Sequence, residues 1–401
     1  MKHALVLATL YPNATNPRFG TFVARSMESL AGRGDWKVSV INPIGMPPLG
    51  LGALSERYRA LQDLPERAEE GGVTVYRPRF TLIPKVGARR NAGAIAKAAL
   101  PVAQAIHADT AVDLVDAQFF FPDGPAAAPL AKALQRPLTI KARGSDITYW
   151  GGFDFAREQM REAAMEANGL LAVCGALADE AAATLSIPRK AIGVHYTGLD
   201  RDRFRPLGHT QLRAQLAGPL GFALPAGAPV LACVGALVAR KGHDIAIEAL
   251  SLLTQDHPEA RLLIVGKGEE DTALHRLVEE RGLAERVHLT GVIDHDLLPV
   301  ILSAADIMVL PTANEGLANA WVEALACGTP VVTCDVGGAR ELITNDTAGR
   351  LVKRSAEGVA HGVREVLASP PDPQDVAALV ERFDWTTHAA DLAAYYEGLL
   401  A

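Results

Sequence analysis

Short β-rich runs alternate with helical patterns through nearly the whole of this 401-residue chain, and the alternation starts twice. "HALVLATL" (3–10) reads as a buried strand, "FVARSMESLAGRG" (22–34) as a helix closed by glycine, and "WKVSVINP" (36–43) as the next strand. "RPLTIKA" (136–142), "GLLAVC" (169–174) and "AIGVHYT" (191–197) continue the series, with a helix at about Gly124–Gln135. The polar, turn-rich stretch "TGLDRDRFRPLGHT" (197–210) then breaks it. Alternation resumes with "PVLACVGAL" (229–237), a helix over about Asp244–Leu253, and "ARLLIVGKG" (260–268). A helix over 271–282 follows, then "RVHLTG" (286–291), "ADIMVLPT" (305–312) and "TPVVTCD" (329–335). Strands that alternate with helices build parallel α/β layers. The expectation is an α/β chain of two Rossmann-like domains facing across a cleft, 1–203 and 204–381. A terminal helix, 382–401, carries aromatic anchors and is expected to pack back on the first domain.

Composition narrows the function classes. The formal net charge is −7 and the isoelectric point about 5.9, against the basic footprint of a nucleic-acid binder. The four cysteines, Cys174, Cys233, Cys327 and Cys334, form no C-x-x-C pair and read as reduced core residues of a cytoplasmic protein. The first apolar run is too short for a signal peptide, and no apolar stretch is long enough to span a bilayer. One bias stands out: from Arg77 to Ala108 there is no acid, while Arg77, Arg79, Lys85, Arg89, Arg90 and Lys97 are cationic. That segment is either a solvated face or loop, or a patch for peripheral contact with an anionic membrane surface or a phosphorylated acceptor.

In open α/β sheets, ligands gather beyond the carboxyl ends of the strands, so the loops there carry the chemistry. In "NEGLANAWVEALACGTPVV", Glu315 precedes an apolar helix expected over about 318–327, and Glu323 lies inside it. Asn319 and Glu323 are four apart and share one face. A carboxylate on such a helix needs donors: a structural Lys, Arg or amide, or a ligand's vicinal hydroxyls. The helix N-terminus beside it offers amides suited to phosphate. "GALVARKGHD" (235–244) places Arg240 and Lys241 directly after a strand, where cations can neutralise a diphosphate. "VGKGEED" (265–271) supplies Gly268, "YPNATNPRFGT" (11–21) supplies Gly20, and "KARGSD" (141–146) supplies Arg143 and Asp146 to the rim. The first loop lacks G-x-G-x-x-G, which counts against a nicotinamide or flavin enzyme.

The stretch "EGLANAWVEALACGTPVV" resembles the E-x7-E signature of the retaining family 4 glycosyltransferases, which have the two-domain GT-B fold. "VLACVGALVARKGHDIAIEAL", "LLIVGKGEE", "VHLTGVIDHDLLPVILSAADIMVLPTANEG" and "DVGGAREL" fall in that family's order. The first domain, through "RFGTFVARSMESL", "FFPDGPAAAPLAKALQRP" and "TGLDRDRFRP", is similar more loosely. The resemblance implies that Glu323 accepts from a donor ribose, and that Glu315 with the amides of Gly316, Leu317 and Ala318 holds donor sugar and diphosphate. It places Asn319 near the diphosphate, has Arg240 and Lys241 bind the leaving group, and lets the Gly20 loop close over it. It further implies no bound metal or other cofactor, a nucleotide-diphosphate sugar as donor bound by the second domain, and a glycan or lipid-linked acceptor bound by the first. Two positions depart from the family pattern: Ala236 stands where many members have Arg, and Arg143 where many have His. An arginine cannot serve as a base near neutral pH, so Arg143 is expected to bind charge. The alternatives are a nucleotide-sugar epimerase of the same fold and a silent subunit of glycan synthesis.

Overall fold

A computed structural model describes residues 1–48, 56–83, 87–222 and 224–401; Lys85 of the basic segment lies outside them. The chain divides into two compact units, Met1–Gly198 with Trp385–Ala401, and Leu199–Asp384.

The first unit contains β1 (Lys2–Leu7), β2 (Trp36–Ile41), β3 (Ile44–Met46), β4 (Arg67–Glu70) and β5 (Val73–Tyr76). It continues with β6 (Arg79–Thr81), β7 (Leu114–Ala117), β8 (Leu138–Ala142), β9 (Gly169–Ala172) and β10 (Ile192–Val194). Its main sheet runs β10-β9-β8-β7-β1-β2-β5-β4, and β3 pairs with β6 separately. Every ladder is parallel except β4 on β5. β1 ends three residues earlier than the expected run to residue 10, because Leu10 and Tyr11 turn back to meet the loop that ends at Gly20. Gly20 sits at φ 73°, and a Cβ there would stand 2.4 Å from the Leu10 carbonyl carbon. Only glycine fits both constraints.

Strand β7 is absent from the sequence reading because Asp116 interrupts its four residues. In the sheet Asp116 is buried but accepts from the side chains of Thr139 and Gln118, which answers the desolvation of a central acid. The helix Trp385–Leu400 packs on the helix Thr21–Gly32, and Tyr396 meets Trp36 edge-on with centroids 5.5 Å apart. His388 donates from Nδ1 to the Tyr196 carbonyl (2.8 Å), so its Nε2 accepts from Ser26 Oγ (2.6 Å). His195 likewise donates from Nε2 to the His388 carbonyl (3.0 Å), leaving Nδ1 to accept from Lys141 Nζ (2.7 Å). Burial holds both rings far below the ordinary histidine range.

The second unit holds β11 (Val230–Val234), β12 (Arg261–Val265), β13 (Val287–Gly291), β14 (Ile307–Leu310), β15 (Val331–Cys334) and β16 (Gly349–Val352). All pairs are parallel and the order is β13-β12-β11-β14-β15-β16. The order reverses direction between β11 and β14, the topological switch point where such sheets open a crevice. The central strands β11, β14 and β15 are fully buried, largely apolar runs, as a sheet covered on both faces requires, while the edge strands β13 and β16 are mostly half-buried. Among the described residues no helix is long and apolar enough to cross a membrane, and the four cysteines are buried and in no disulfide.

Candidate active site

The two strands flanking the second unit's switch point deliver the two loops that the sequence marks. After β11 the chain runs through Gly235 to a short turn at Ala239–Lys241, then enters the helix His243–Leu253. Gly242, at φ 74°, makes this turn possible, and a Cβ there would stand 2.4 Å from the Pro311 carbonyl oxygen at the end of β14. The turn is thereby pressed against the other loop. Arg354 ties the two together, donating to the Pro311 carbonyl (3.0 Å) and the Ala239 carbonyl (3.3 Å).

After β14, Glu315 sits with only 11% of its side chain exposed. Its Oε1 accepts from Lys241 Nζ, from Arg240 Nη1 (3.2 Å) and from Thr312 Oγ1 (3.1 Å). Among the described residues its Oε2 accepts from no group. Lys241 is held deep, with 12% of its side chain exposed, whereas Arg240 is about half exposed. The backbone beneath Glu315 is fixed by the loop after β15: the Gly338 amide donates to the Gly316 carbonyl at 2.7 Å. Gly337, at φ 50°, approaches so closely that a Cβ would lie 2.0 Å from the Glu315 carbonyl oxygen. The sequence reading gave no role to Gly337, Gly338 or Arg354; the "DVGG" pair was the signal available for the first two.

The helix that follows spans Asn319–Ala326, starting from Ala318 at the cap. Ala, Leu and Glu favour the helix, and Trp321, Val322, Ala324 and Leu325 are its buried face. Burying Trp321 and Leu325 contributes on the order of 1.5–3 kcal/mol each. The helix stops at Gly328, φ 82°, where the Thr329 amide returns to the Ala324 carbonyl (2.9 Å). Its N-terminus has no side-chain cap and no acid in the first turn, so its positive end is uncompensated. Gly316 and Leu317 are half-buried and Asn319 is exposed.

Glu323 projects from the same helix face as Asn319, one turn on. Burial raises its carboxyl to about 7, while the Arg203 guanidinium pulls the other way. Arg203 itself donates to Asp296 Oδ1 at 2.7 Å. Among the described residues no side chain or amide hydrogen-bonds to the Glu323 carboxyl, and Arg203 acts on it through its charge alone.

Gly268 lies where a Cβ would be 2.2 Å from the Leu237 carbonyl oxygen, and the Leu237 amide donates to the Lys267 carbonyl at 3.1 Å. Packing of the loop after β12 on the loop after β11 is thus sufficient reason for this glycine. His243 braces the latter loop from below: Nε2 donates to the Ala236 carbonyl (3.1 Å), and Nδ1 meets Cys233 Sγ at 3.1 Å.

In the first unit, Asp146 is not on the rim as expected. It is fully buried and accepts from the amides of Phe120 (2.8 Å), Arg143 (3.1 Å) and Gly144 (2.8 Å). Its carboxylate satisfies the turn rather than facing a ligand. Arg143 is half-buried, its guanidinium 5.1 Å from the Phe22 ring centroid, donating to the Gln118 side chain and carbonyl. The basic segment is also partly internal. Arg77 is buried and paired with Glu70 (2.5 Å), and Arg79 donates to the carbonyls of Arg77 and Leu64. Arg89, Arg90 and Lys97 are exposed.

Two α/β units, each built on a mainly parallel sheet, are the parts of the GT-B architecture. Anabaena HepE, solved in complex with UDP, superimposes with a TM-score of 0.73 at 21% identity, covering 99% of this chain and 100% of that one. Sucrose-phosphate synthase from Thermosynechococcus elongatus gives 0.72 at 21% identity, over 100% and 99%. Residues 221–381 match the family described as glycosyl transferases group 1. A GDP-mannose-dependent alpha-(1-6)-phosphatidylinositol monomannoside mannosyltransferase of Mycolicibacterium smegmatis is 30% identical over 296 residues, 68% of this chain and 75% of that one. The putative teichuronic acid biosynthesis glycosyltransferase TuaC of Bacillus subtilis is 27% identical over 401 residues, 98% and 97% of the two chains. The chain belongs to the glycosyl transferases group 1 family and is a glycosyltransferase.

Proposed function

We propose that the second unit binds a nucleotide-diphosphate sugar at its switch point and that the enzyme transfers the sugar with retention to a saccharide-bearing acceptor of the cell envelope. The observation that carries this reading is the Glu323 carboxyl, half-buried and without a hydrogen-bond donor among the described residues, one helical turn from the uncapped amides beside Glu315 and Lys241. A ribose diol supplies the two O–H donors that carboxylate lacks. Glu315 Oε2 is available to the donor sugar, and the amides of Gly316, Leu317 and Ala318, with Asn319, meet the diphosphate. Gly268 shapes the neighbouring backbone. The names of the relatives support an envelope setting, one acting in teichuronic acid synthesis and one on a phosphatidylinositol mannoside.

In the reaction the C1–O bond to the diphosphate breaks as the acceptor oxygen bonds to C1 on the same face. The acceptor proton passes to the departing diphosphate oxygen, so no protein nucleophile is needed. Lys241 and Arg240 stabilise the charge that develops on that group, in the place a metal ion would take. Nucleoside diphosphate release from a panel of UDP-, GDP- and ADP-sugars, with NMR of the product's anomeric proton, tests this. Release with a retained anomer, undiminished by EDTA, is expected. Inversion, or loss of activity on chelation, refutes the respective step.

Peripheral membrane contact is a second reading, favoured by exposed Arg89 and Arg90 in an acid-free first turn of the helix Ala88–Asp109. Co-sedimentation that does not depend on anionic lipid would remove it.

A further inference from the structure

Lys241 carries its charge on a flexible four-carbon stem, so the charge is placed only as well as the walls around that stem. The stem lies along Gly235: a Cβ on that glycine would stand 3.7 Å from Lys241 Cε and 3.8 Å from Cδ. Its root is tied to the same stretch of chain, because the Lys241 amide donates to the Val238 carbonyl (2.9 Å). The Val238 amide in turn donates to the Ala236 carbonyl (2.9 Å), closing a three-residue turn. One hydrogen bond defines such a turn. Whatever else holds the Ala236 carbonyl therefore sets where the lysine stem lies.

His243 is that second hold. It is buried at the first position of the helix His243–Leu253, and its Nε2 reaches back to the Ala236 carbonyl at 3.1 Å. A carbonyl oxygen only accepts, so Nε2 carries the proton, and in a neutral ring Nδ1 is then an acceptor. Cys233, on β11, supplies the matching donor. Its Sγ lies 3.1 Å from Nδ1, and burial pushes the thiol up to about 12, so the S–H is there to donate. Burial also holds the ring below the ordinary histidine range, and the Lys241 charge acts in the same direction. Cys233, His243 and the Ala236 carbonyl thus form a line from a core strand to the wall of the lysine stem, with each donor matched to an acceptor. A leucine would fill the volume of the ring but could not hold the carbonyl.

We propose that His243 is a positioning residue for the transfer reaction: as the Nε2–H tautomer fixed by Cys233, it anchors the Ala236 carbonyl and thereby sets where Lys241 Nζ stands beside Glu315. It contacts neither donor nor acceptor in this role and acts only through the lysine. The role rests on the reading of Lys241 as the group that stabilises the departing diphosphate.

A double-mutant cycle on the full chain tests this, with single-turnover release of nucleoside diphosphate as the rate. His243→Leu removes both ring nitrogens, and His243→Gln returns an N–H donor at the reach of Nε2. His243→Leu should lower the release rate about 10- to 100-fold, the scale set by a slightly misplaced group. The donor dissociation constant should stay within about threefold of wild type, and His243→Gln should recover the rate to within about threefold. In a Lys241→Ala background, His243→Leu should cost less than about twofold more, because the side chain it acts through is gone. The proposal is overturned if His243→Leu leaves the rate unchanged, if it costs the same factor in both backgrounds, or if His243→Gln does not rescue. A Lys241→Ala rate equal to wild type would instead sink the leaving-group reading. The anchor itself is then judged by ring-nitrogen NMR of the wild-type protein at neutral pH, which also decides the matter should His243→Leu not fold. With the His243 signals assigned by their loss in His243→Gln, a protonated Nε2 and an unprotonated Nδ1 are expected; an Nδ1–H tautomer or an imidazolium overturns the anchor.

Discussion

Glu323→Gln should make the unliganded protein more stable and the donor site worse. The wild-type carboxyl is raised from 4.5 to about 7, chiefly by burial. At about 1.4 kcal/mol per pH unit, a charged Glu323 above pH 7 destabilises the folded state by roughly 3 kcal/mol. Partial exposure reduces this, so a gain of about 1–3 kcal/mol on neutralisation is expected. The sign follows from linkage. An acid whose folded value is raised carries no penalty when both states are protonated, below about pH 4.5. The penalty grows between 4.5 and 7 and is complete above 7. For a unit of the size of Leu199–Asp384 the gain corresponds to about 2–12 °C in Tm. Calorimetric unfolding of both proteins at pH 8 and pH 5 reads it: the variant should melt higher at pH 8, and the difference should shrink below about 1 kcal/mol at pH 5. Nucleotide binding should move oppositely. Hydrogen bonds to a charged group are worth about 1.5–3 kcal/mol, so the dissociation constant of the preferred nucleoside diphosphate should rise about 10- to 150-fold. In the wild type, affinity should fall as pH drops below 7 and the carboxyl protonates. A variant that is no more stable at pH 8, or that binds nucleotide as tightly as wild type, would refute the reasoning.

Gly242→Ala places a Cβ against the Pro311 carbonyl at a positive φ; a loss of about 1–3 kcal/mol and of most turnover is expected, and near-wild-type kinetics would contradict the packing of the two loops. The neutral pair His195 and His388 should make the first unit acid-sensitive. Their folded values are depressed by burial, so stability is lost as pH falls below about 6.5. His388→Asn should flatten the dependence of Tm on pH between 7.5 and 5, and an unchanged slope would remove the histidines as its source.

The site was legible in the sequence to the extent that its chemistry follows apolar strands. Lys241, Glu315 and Glu323 stand out because each is charged next to a run that should be buried. What joins them was not legible, because strand order is a tertiary outcome. Nothing local says that β11 and β14 are neighbours and bring Lys241 onto Glu315. Strand β7 was missed for a related reason, since one of the two side chains that satisfy Asp116, Thr139, lies on another strand. Asp146 and Arg77 misled in the opposite direction. Each looks like surface charge in a polar stretch, yet backbone amides enclose the first and Glu70 pairs with the second. Glu323 is the converse case. Its sequence context asks for a donor, and among the described residues none hydrogen-bonds to it, Arg203 acting only through its charge.

Lys241→Ala offers the most direct test of the claim that the switch-point cations stabilise the departing diphosphate. Single-turnover release of nucleoside diphosphate, measured beside the equilibrium dissociation constant of the donor, separates the transition state from the ground state. A fall of about 10²- to 10³-fold in the release rate, with donor affinity changed only a few-fold, is expected. Equal losses in rate and affinity, or an unchanged rate, would contradict it.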